Sequence, residues 1–299
     1  MSGSFCAGFA CFVGRPNAGK STLTNAIVGQ KVAIMSDRPQ TTRHAVRGIV
    51  HRPDAQLVLV DTPGFHKPRT LLGERLNDVV RATLTEVDVV GFCVSADQKV
   101  GPGDRYIADE LRKVAGRTAA VAIVTKTDLV ARDVVGERLV EVAELGEWHD
   151  VVPVSARTGF QVDLLADLLV AQLPESPPLY PDGELTDEPE RVMVAELIRE
   201  AALAGVRDEL PHSIAVVVEE MSVRADRDDL VDIEAVMYVE RDSQKGIVIG
   251  PGGARLKRVG TEARRQIEAL LGSKIFLDLR VKVAKDWQRD PKQLRRLGF

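Results

Sequence analysis

Short runs of mostly apolar residues alternate, in the first part of the chain, with stretches in which apolar residues recur every three or four positions. The runs have the length of strands that are buried on both faces, which is typical of a parallel sheet covered by helices. They predict strands at 9–13, 57–60, 87–94, 119–124 and 151–154, with a polar-flanked edge strand at 44–50. The spaced stretches predict amphipathic helices at 20–28, 71–84, 104–114 and 162–173. Residues 1–173 are therefore predicted to form a doubly wound α/β domain.

A cluster of prolines interrupts this pattern. Five prolines lie between residues 174 and 189, and such a segment can hold neither a long helix nor a central strand. Residues 174–189 are therefore predicted to be a linker. Beyond it, the pattern predicts a smaller α+β domain over residues 190–299, with helices at 191–203 and 254–271 and strands at 213–223, 230–240 and 274–283.

Charge is distributed unevenly along the 299 residues, although the net charge is only −4. Residues 241–299 hold 15 basic and 6 acidic residues, a net charge of +9, which leaves −13 for residues 1–240. The basic end is suited to a polyanion that the rest of the chain would repel. No apolar run approaches the roughly 20 residues that a membrane-spanning helix needs, so no transmembrane segment is predicted.

A phosphate-binding pattern lies at residues 14–21, whose sequence GRPNAGKS matches G-x-x-x-x-G-K-[ST] between a predicted strand and a predicted helix. Glycines let backbone N–H groups turn toward phosphate oxygens, and the helix N-terminus adds a positive dipole end. Lys20 is predicted to bind the β- and γ-phosphates, and Ser21 to ligate a Mg²⁺ ion that bridges them. The predicted phosphate-binding residues are Gly14, Arg15, Pro16, Asn17, Ala18, Gly19, Lys20, Ser21 and Thr22.

Three further segments stand where predicted strands end, which is the edge at which α/β sheets bind ligands. Asp61 can hold Mg²⁺ through a water molecule, and Gly64 can face the γ-phosphate. Asp128 can accept hydrogen bonds from two donors of guanine that adenine lacks, and a backbone N–H of Ser155 or Ala156 can reach the guanine carbonyl. The pattern favours GTP, since ATP would have to compete despite Asp128. The predicted nucleotide-binding residues of these segments are Asp61, Thr62, Pro63, Gly64, Phe65, Thr125, Lys126, Thr127, Asp128, Ser155 and Ala156.

With these motifs and the Thr-Thr pair at 41–42, the chain resembles translation-factor-related GTPases. The resemblance implies that Thr42, rather than Thr41, joins Ser21 and Asp61 in the Mg²⁺ site when the γ-phosphate is present. Metal binding would then be coupled to the order of a switch loop that begins at Gln40. Thr125 stands where the family usually has an asparagine that braces the phosphate loop, so guanine specificity is expected with looser base affinity.

Phe65 occupies the position at which Ras-like enzymes place a water-orienting glutamine. A phenyl ring cannot orient water by hydrogen bonding, so slow intrinsic turnover, or turnover that needs help, is predicted. By resemblance, Asn17 is predicted to bind a monovalent cation such as K⁺ beside the phosphates, in place of an arginine finger. The predicted catalytic residues are Lys20, Thr42, Gly64 and Asn17.

A G-x-x-G loop at 250–253 opens the predicted helix at 254–271 in the basic end of the chain. In its context it resembles a type II KH domain, whose loop clamps the backbone of a single-stranded nucleic acid. The family often has a basic residue inside this loop, which is Gly-Pro-Gly-Gly here, so Arg255, Lys257 or Lys245 is predicted to supply the phosphate contact. A solvated basic helix face is the alternative, and residues 289–296 fit either a fraying helix or further phosphate contacts. The predicted RNA-binding residues are Lys245, Ile249, Gly250, Pro251, Gly252, Gly253, Arg255, Lys257 and Arg258.

The order of GTPase domain, short linker and KH domain is the layout of the Era family of bacterial ribosome-assembly GTPases, which the chain resembles over nearly its whole length. The resemblance implies binding near the 3′ end of small-subunit ribosomal RNA and a role in 30S subunit assembly. It also implies a cytoplasmic location with loose association with the inner membrane. The alternative is an RNA-binding assembly scaffold in which GTP is a structural ligand, and Phe65 keeps that alternative open.

Overall fold

A computed structural model describes residues 4–36, 38, 41–68, 70–114, 118–206 and 210–299. The chain divides into two compact units, one of residues 1–69 and 73–187 and one of residues 70–72 and 188–299. Each unit has its own sheet. In the part of the chain that is described, no helix is both long and apolar enough to span a membrane.

Six strands form the sheet of the first unit, in the order β2-β3-β1-β4-β5-β6. They are β1 (Cys6–Gly14), β2 (Val46–His51), β3 (Ala55–Asp61), β4 (Val89–Ser95), β5 (Ala119–Thr125) and β6 (Asp150–Pro153). The edge strand β2 runs antiparallel to β3, and all other neighbours pair in parallel. Every residue of β3 and β4 is buried, because both faces of these strands are covered. The predicted α/β fold with a polar-flanked edge strand is confirmed.

The described helices of this unit are α1 (Lys20–Val28), α2 (Leu71–Glu86), α3 (Pro102–Val114), α4 (Arg132–Ala143) and α5 (Val162–Val170). The first two residues of α2 are grouped with the second unit. Alternate residues of β1 contribute to separate apolar clusters, with Cys11 and Val13 in one and Ala10 and Phe12 in the other. Because successive strand residues point to opposite faces, the sheet carries an apolar core on each side.

Helix α4 was not predicted from the sequence. Its apolar periodicity is disturbed, because Val140 is 62% exposed while the charged Arg138 is only 5% exposed. Gly136, in the middle of the helix, further weakens the pattern. The burial of an arginine that pairs with Glu141 is a tertiary feature that hydrophobic spacing does not reveal.

The proline-rich segment, predicted to be a linker, lies along the edge of the first sheet. The Ile49 N–H of β2 donates to the Leu185 carbonyl at 2.9 Å, and the Arg47 guanidinium pairs with the Asp187 carboxylate at 2.9 Å. The buried Gln56 side chain accepts from the backbone N–H groups of Leu179 and Tyr180, at 2.7 and 2.9 Å, and donates to the Tyr180 carbonyl at 2.9 Å. The bond from Ile49 covers a backbone group of the edge strand β2 that would otherwise be open to pairing with another chain. The Gln56 bonds hold the proline-rich segment against β3.

The second unit contains a three-stranded sheet in the order β7-β8-β9. β7 (Ala215–Arg224) is antiparallel to β8 (Arg227–Val239), which is parallel to β9 (Lys274–Val283). The helices are α6 (Glu190–Leu203), α7 (Leu210–Ser213), α8 (Asp242–Ile249), α9 (Ala254–Leu271) and α10 (Pro291–Arg296). The short helices α7 and α8 were not predicted, because four to eight residues are too few to show a helical period.

Replacing Gln56 by alanine should destabilise the first unit by about 2 to 3 kcal/mol, because two N–H groups and one carbonyl of the proline-rich segment would lose their partner. Urea unfolding measures the change. Gln30→Ala, at an exposed glutamine, is the control and should change stability by less than about 0.5 kcal/mol. Equal stability of the two variants would contradict the inferred role of Gln56.

Candidate functional site

The phosphate-loop pattern forms the turn between β1 and α1. Gly14 has no room for a side chain, since an added Cβ would lie 2.4 Å from the Cys93 carbonyl oxygen. Asn17 and Gly19 adopt left-handed backbone angles, with φ of 63° and 88°. The loop therefore curls tightly into the N-terminus of α1, where helix N–H groups are free to bind phosphate oxygens.

Two buried groups of opposite charge lie beneath this loop. The Lys20 ammonium donates to the carbonyls of Gly14 and Arg15 at 3.3 and 3.2 Å, and burial lowers its pKa despite the nearby Asp61 carboxylate. Burial likewise raises the pKa of Asp61, against the opposing effects of Ser21, Lys20 and Thr42. The two opposite charges partly compensate each other's burial.

Three oxygen atoms from separate segments meet at Asp61. Its Oδ2 accepts from Ser21 Oγ at 2.7 Å and from Thr42 Oγ1 at 3.0 Å, and the two hydroxyls lie 2.9 Å apart. Its Oδ1 is buried and has no hydrogen-bond partner among the described residues. Hydroxyl and carboxylate oxygens suit Mg²⁺, which usually takes few protein ligands and completes its shell with water and phosphate. The residues present thus fit the predicted metal.

The structure distinguishes the two threonines of the predicted switch. Thr42 is 8% exposed and lies in the cluster around Asp61. The Thr41 hydroxyl instead donates to the Arg38 carbonyl at 2.6 Å. This geometry supports Thr42 as the metal-linked residue, whereas Gln40 of the same predicted loop lies outside the described residues.

Gly64 and Phe65 follow the β3 strand and lie against the phosphate loop. A Cβ at Gly64 would approach the Pro16 backbone to 2.9 Å, so only glycine allows this contact. The Phe65 N–H donates to the Gly14 carbonyl at 3.2 Å. The Phe65 ring, however, is 2% exposed and stacks on Tyr106 at 5.7 Å. The ring points into the core, so the predicted contact of Phe65 with the nucleotide does not involve its side chain.

A cleft of about 180 Å³ beside the loop contains the residues predicted to hold guanine. Thr125, Lys126, Asp128 and Ala156 line it, and Asp128 Oδ1 accepts from Ser155 Oγ at 2.7 Å. The Ser155 N–H donates to the Phe160 carbonyl at 3.0 Å, which corrects the prediction for this group. That bond engages the Ser155 N–H, so the predicted contact with the guanine carbonyl is narrowed to the Ala156 N–H.

The base cleft continues into a cleft of about 100 Å³ at the phosphates, since Gly19, Thr22 and Lys126 line both. Lys20, Ser21, Thr42 and Gly64 contribute to the second cleft. One elongated site thus brings together motifs that lie more than 100 residues apart in the sequence.

Thr125 connects the base cleft to the phosphate loop. Its hydroxyl is buried and donates to the Ala18 carbonyl at 2.7 Å, with a longer contact to the Val94 carbonyl at 3.3 Å. A threonine at this position therefore braces the loop directly. The bond supports the predicted bracing role for the residue that replaces asparagine.

Sequence reasoning missed Asn25, which lies in the last turn of α1. Its Oδ1 accepts from the N–H groups of Val32 and Ala33, both at 2.9 Å, and its Nδ2 donates to the Ala33 carbonyl at 2.8 Å. The residues that follow, Ile34 to Ser36, line the phosphate cleft. An asparagine inside a helix, where its propensity is low, was the signal that could have identified this residue.

The G-x-x-G loop of the second unit is built from left-handed glycines. Gly250, Gly252 and Gly253 have φ of 74°, 56° and 78°, and a Cβ at Gly250 would lie 2.7 Å from the Arg255 Cβ. Lys257 and Arg258 are exposed on the first turns of α9, while Lys245 and Ile249 on α8 are half-buried. Phosphates could approach the backbone closely at Gly252 and Gly253, because an added Cβ at either position would meet nothing within 4 Å.

Arg255 has a different role from the predicted phosphate contact. Its guanidinium donates to the carbonyls of Ala202, Ala204 and Gly205, at 3.3, 3.0 and 3.3 Å. These carbonyls lie at the C-terminal end of α6, where helix carbonyls lack partners and the dipole is negative. Partial burial lowers the pKa of Arg255. The predicted contact to RNA is thus left to Lys245, Lys257 and Arg258.

The phosphate loop, the cluster at Asp61 and the base cleft are typical of a phosphate-loop GTPase. The G-x-x-G loop of the second unit is typical of an RNA-binding domain. Residues 9–126 match the family model described as 50S ribosome-binding GTPase, and residues 209–288 match the KH domain model. The chain is 71% identical to GTPase Era of Streptomyces coelicolor over 98% of this chain and 95% of that protein. It is 67% identical to GTPase Era of Mycolicibacterium smegmatis over 99% of both.

Solved structures agree with the sequence matches. A crystal structure of Era in complex with MgGDPNP and nucleotides 1506–1542 of 16S ribosomal RNA has a TM-score of 0.92 at 34% identity, covering 98% of this chain and 99% of that one. An Aquifex aeolicus Era variant bound to GDP and AlF4⁻ has a TM-score of 0.91 at 33% identity, with the same coverage. The chain belongs to the Era family of GTPases, whose activity is GTP hydrolysis with Mg²⁺. The predicted family, fold and GTPase activity are confirmed.

Thr125→Val should weaken GDP binding by about five- to tenfold, because the Ala18 carbonyl loses its donor while the shape of the side chain is kept. Titration with a fluorescent GDP analogue measures the change. Thr125→Ser retains the hydroxyl and serves as the matched control, with affinity close to that of the unchanged protein. Tight binding by the valine variant would show that the hydroxyl does not brace the loop.

Proposed function

We propose that this protein is a GTP-hydrolysing switch that binds small-subunit ribosomal RNA through its KH unit and acts in assembly of the 30S subunit. The observation that carries the proposal is the meeting of Ser21, Thr42 and Asp61 at one carboxylate oxygen. It joins the segment before β2 to the site where Mg²⁺ would bind. A change at the γ-phosphate would therefore be felt by Thr42.

Each residue of the site has a defined task in this proposal. Lys20 offsets the charge of the β- and γ-phosphates, and Gly64 presents its backbone N–H to the γ-phosphate. Ser21 and Thr42 would hold Mg²⁺ directly and Asp61 through a water molecule. When bound, the metal neutralises charge that develops on the phosphate oxygens. Asp128 selects guanine by accepting from its two donors.

The RNA partner is assigned to the small subunit on the strength of the full-length comparison. The description of the family model that matches residues 9–126 names the large (50S) ribosomal subunit. The Era crystal structure that covers 98% of this chain instead contains 16S ribosomal RNA, which belongs to the small subunit. The match to the Era structure includes the KH unit, which would contact the RNA, whereas the match to the GTPase model does not. This supports the small subunit as the partner. Lys245, Lys257, Arg258 and the loop at 250–253 would hold the strand.

The cellular location is proposed from the family resemblance. We expect the protein to work in the cytoplasm, where ribosomal subunits are assembled. Peripheral contact with the inner membrane rests on that resemblance alone, and fractionation of cells at low and high salt would test it.

The 16S segment 1506–1542 should raise the single-turnover rate of GTP hydrolysis by about tenfold, equivalent to about 1.4 kcal/mol of the barrier. A scaffold with GTP as a structural ligand would show equal rates with and without RNA.

Gly252→Asp should abolish both this stimulation and crosslinking to the RNA, because it places a carboxylate where phosphates approach. The site is spacious, and aspartate tolerates a left-handed backbone better than most residues, so thermal unfolding should be unchanged. Undiminished crosslinking would refute the KH assignment.

Asn17 is proposed to place K⁺ beside the phosphates, which would offset the lack of a water-orienting side chain at Phe65. Hydrolysis in potassium buffer should then exceed that in sodium buffer by about tenfold. Asn17→Gly permits the left-handed backbone but removes the amide oxygen, so it should make the two rates equal. Equal rates in the unchanged protein would rule out this role.

A further inference from the structure

Many basic side chains of α9 and β9 are already paired with carboxylates. The partners are acidic residues on α9 or on the neighbouring strands of the sheet, at distances between 2.6 and 3.7 Å. An ion-paired cation has less to offer a phosphate, because its charge is compensated and its donors are engaged. The paired cations are Arg264, Arg265, Lys274, Arg280 and Lys282.

Between α8 and residue 299, other cations have no carboxylate partner among the described residues. Arg241 is the N-cap of α8 and Arg255 binds backbone carbonyls, and the remaining cations fall into two groups. One group, Lys245, Lys257 and Arg258, surrounds the G-x-x-G loop. The other lies beyond β9, and we call it the tail surface. The tail surface consists of Lys285, Arg289, Lys292, Arg295 and Arg296, all of them exposed.

The tail surface is folded, in contrast to the fraying helix that was one of the two alternatives left open by the sequence. Trp287 is fully buried and donates from its indole N–H to the Ser213 carbonyl at 3.0 Å, and its ring stacks on Phe299 at 5.6 Å. Asp290 caps α10 by accepting from the Lys292 N–H at 2.8 Å. Leu294 is fully buried beneath the helix. The cations are therefore presented on a fixed backbone, which lowers the entropy lost on binding.

A polar network places this surface at one end of α8. The Gln288 amide donates to the Glu240 carboxylate at 3.0 Å, and the same carboxylate oxygen accepts from Ser213 Oγ at 3.0 Å. Gln244, in the first turn of α8, donates to Ser213 Oγ at 3.1 Å. The other end of α8 leads into Gly250. Eight residues of helix span ~12 Å, a length that a few nucleotides of an RNA strand would cover.

We propose that the tail surface is a second phosphate-binding site, which holds the backbone of the RNA where it continues beyond the G-x-x-G groove. The inference rests on the proposed RNA-binding function of the KH unit. In residues 285–299, all of them described, the aromatic side chains are Trp287, which is buried, and Phe299, which is stacked on it. Trp287 offers bases no exposed ring and Phe299 is partly covered by its stacking on Trp287, so this surface recognises mainly phosphates, independent of sequence. The KH family model ends at residue 288, so α10 lies beyond the matched module.

RNA is favoured over an anionic membrane as the occupant. The surface shares α8 with the loop proposed to clamp RNA, and the large apolar side chains around it, Leu294 and Leu297, are buried. A peripheral membrane contact usually combines basic residues with apolar side chains that insert into the bilayer. Anionic vesicles are therefore included in the test as the competing ligand.

The test compares two variants of the full chain with equal loss of charge. The tail variant replaces Lys285, Arg289, Lys292 and Arg295 by glutamine and leaves Arg296, which packs over the Tyr238 ring at 5.6 Å. The control variant replaces Arg264, Arg265, Lys274 and Lys282, which are exposed but paired. Thermal unfolding checks both, and the single variant Lys292→Gln serves if the fourfold tail variant does not fold.

The RNA probes are the 16S segment 1506–1542 and pieces of it of about six nucleotides, enough for the roughly four that a KH groove clamps. The tail variant should bind the long RNA about 10- to 100-fold more weakly at low salt, and the slope of log affinity against log salt should fall by about 2 to 3. Its affinity for the short pieces should match that of the unchanged protein. The control variant should lose less than about threefold on either probe.

Equal losses by the tail and control variants would overturn the inference, because the effect would then be one of net charge. So would an unchanged affinity of the tail variant for the long RNA. Binding to phosphatidylglycerol vesicles that only the tail variant loses, with RNA binding intact, would assign the surface to a membrane and also overturn it. If the unchanged protein bound neither probe, the proposed function itself would fail, and the result would be distinct from these.

Discussion

The carboxylate of Asp61 is the group on which the nucleotide site depends. One of its oxygens accepts from Ser21 at the start of α1 and from Thr42 before β2, and the buried charge of Lys20 offsets its own. Each group comes from a different segment, and a buried charge without its partner is strongly destabilising. In the proposed mechanism, metal binding and the order of the switch segment are coupled because the same carboxylate takes part in both.

Backbone carbonyls and amides shape the surroundings of this group more than charged side chains do. Thr125 donates to Ala18, the Phe65 N–H to Gly14, and Asn25 holds residues 32 and 33. These bonds form on folding, so the phosphate loop is already curled before a ligand binds and less conformational entropy is lost on binding. The acidic first unit can therefore bind a highly anionic nucleotide without a broad basic surface, because Lys20 and the backbone N–H groups of the phosphate loop supply local hydrogen-bond donors.

In the second unit, pairing rather than the number of cations decides where a polyanion can bind. The net charge of +9 over residues 241–299 includes arginines and lysines that carboxylates already neutralise, and Arg255, which caps α6. The cations that remain without a carboxylate partner among the described residues are those around the G-x-x-G loop and those of the tail surface, near the two ends of α8. A short helix thus separates a clamp made of glycines, where phosphates approach the backbone, from a surface made of long cationic side chains.

The strands, most helices and every nucleotide motif could be predicted from the sequence, because a run of apolar residues or a loop such as GRPNAGKS is local information. Helix α4 could not, since its buried Arg138 and exposed Val140 reverse the expected pattern. Nor could sequence alone separate Thr42 from Thr41, which only a family resemblance favoured, or show that Arg255 caps a helix end some 50 residues away. The sequence by itself determined which chemical groups are present and at which strand ends they lie. Only the tertiary structure decided which of them meet, because hydrogen bonds and burial depend on distances between segments that the linear order does not contain.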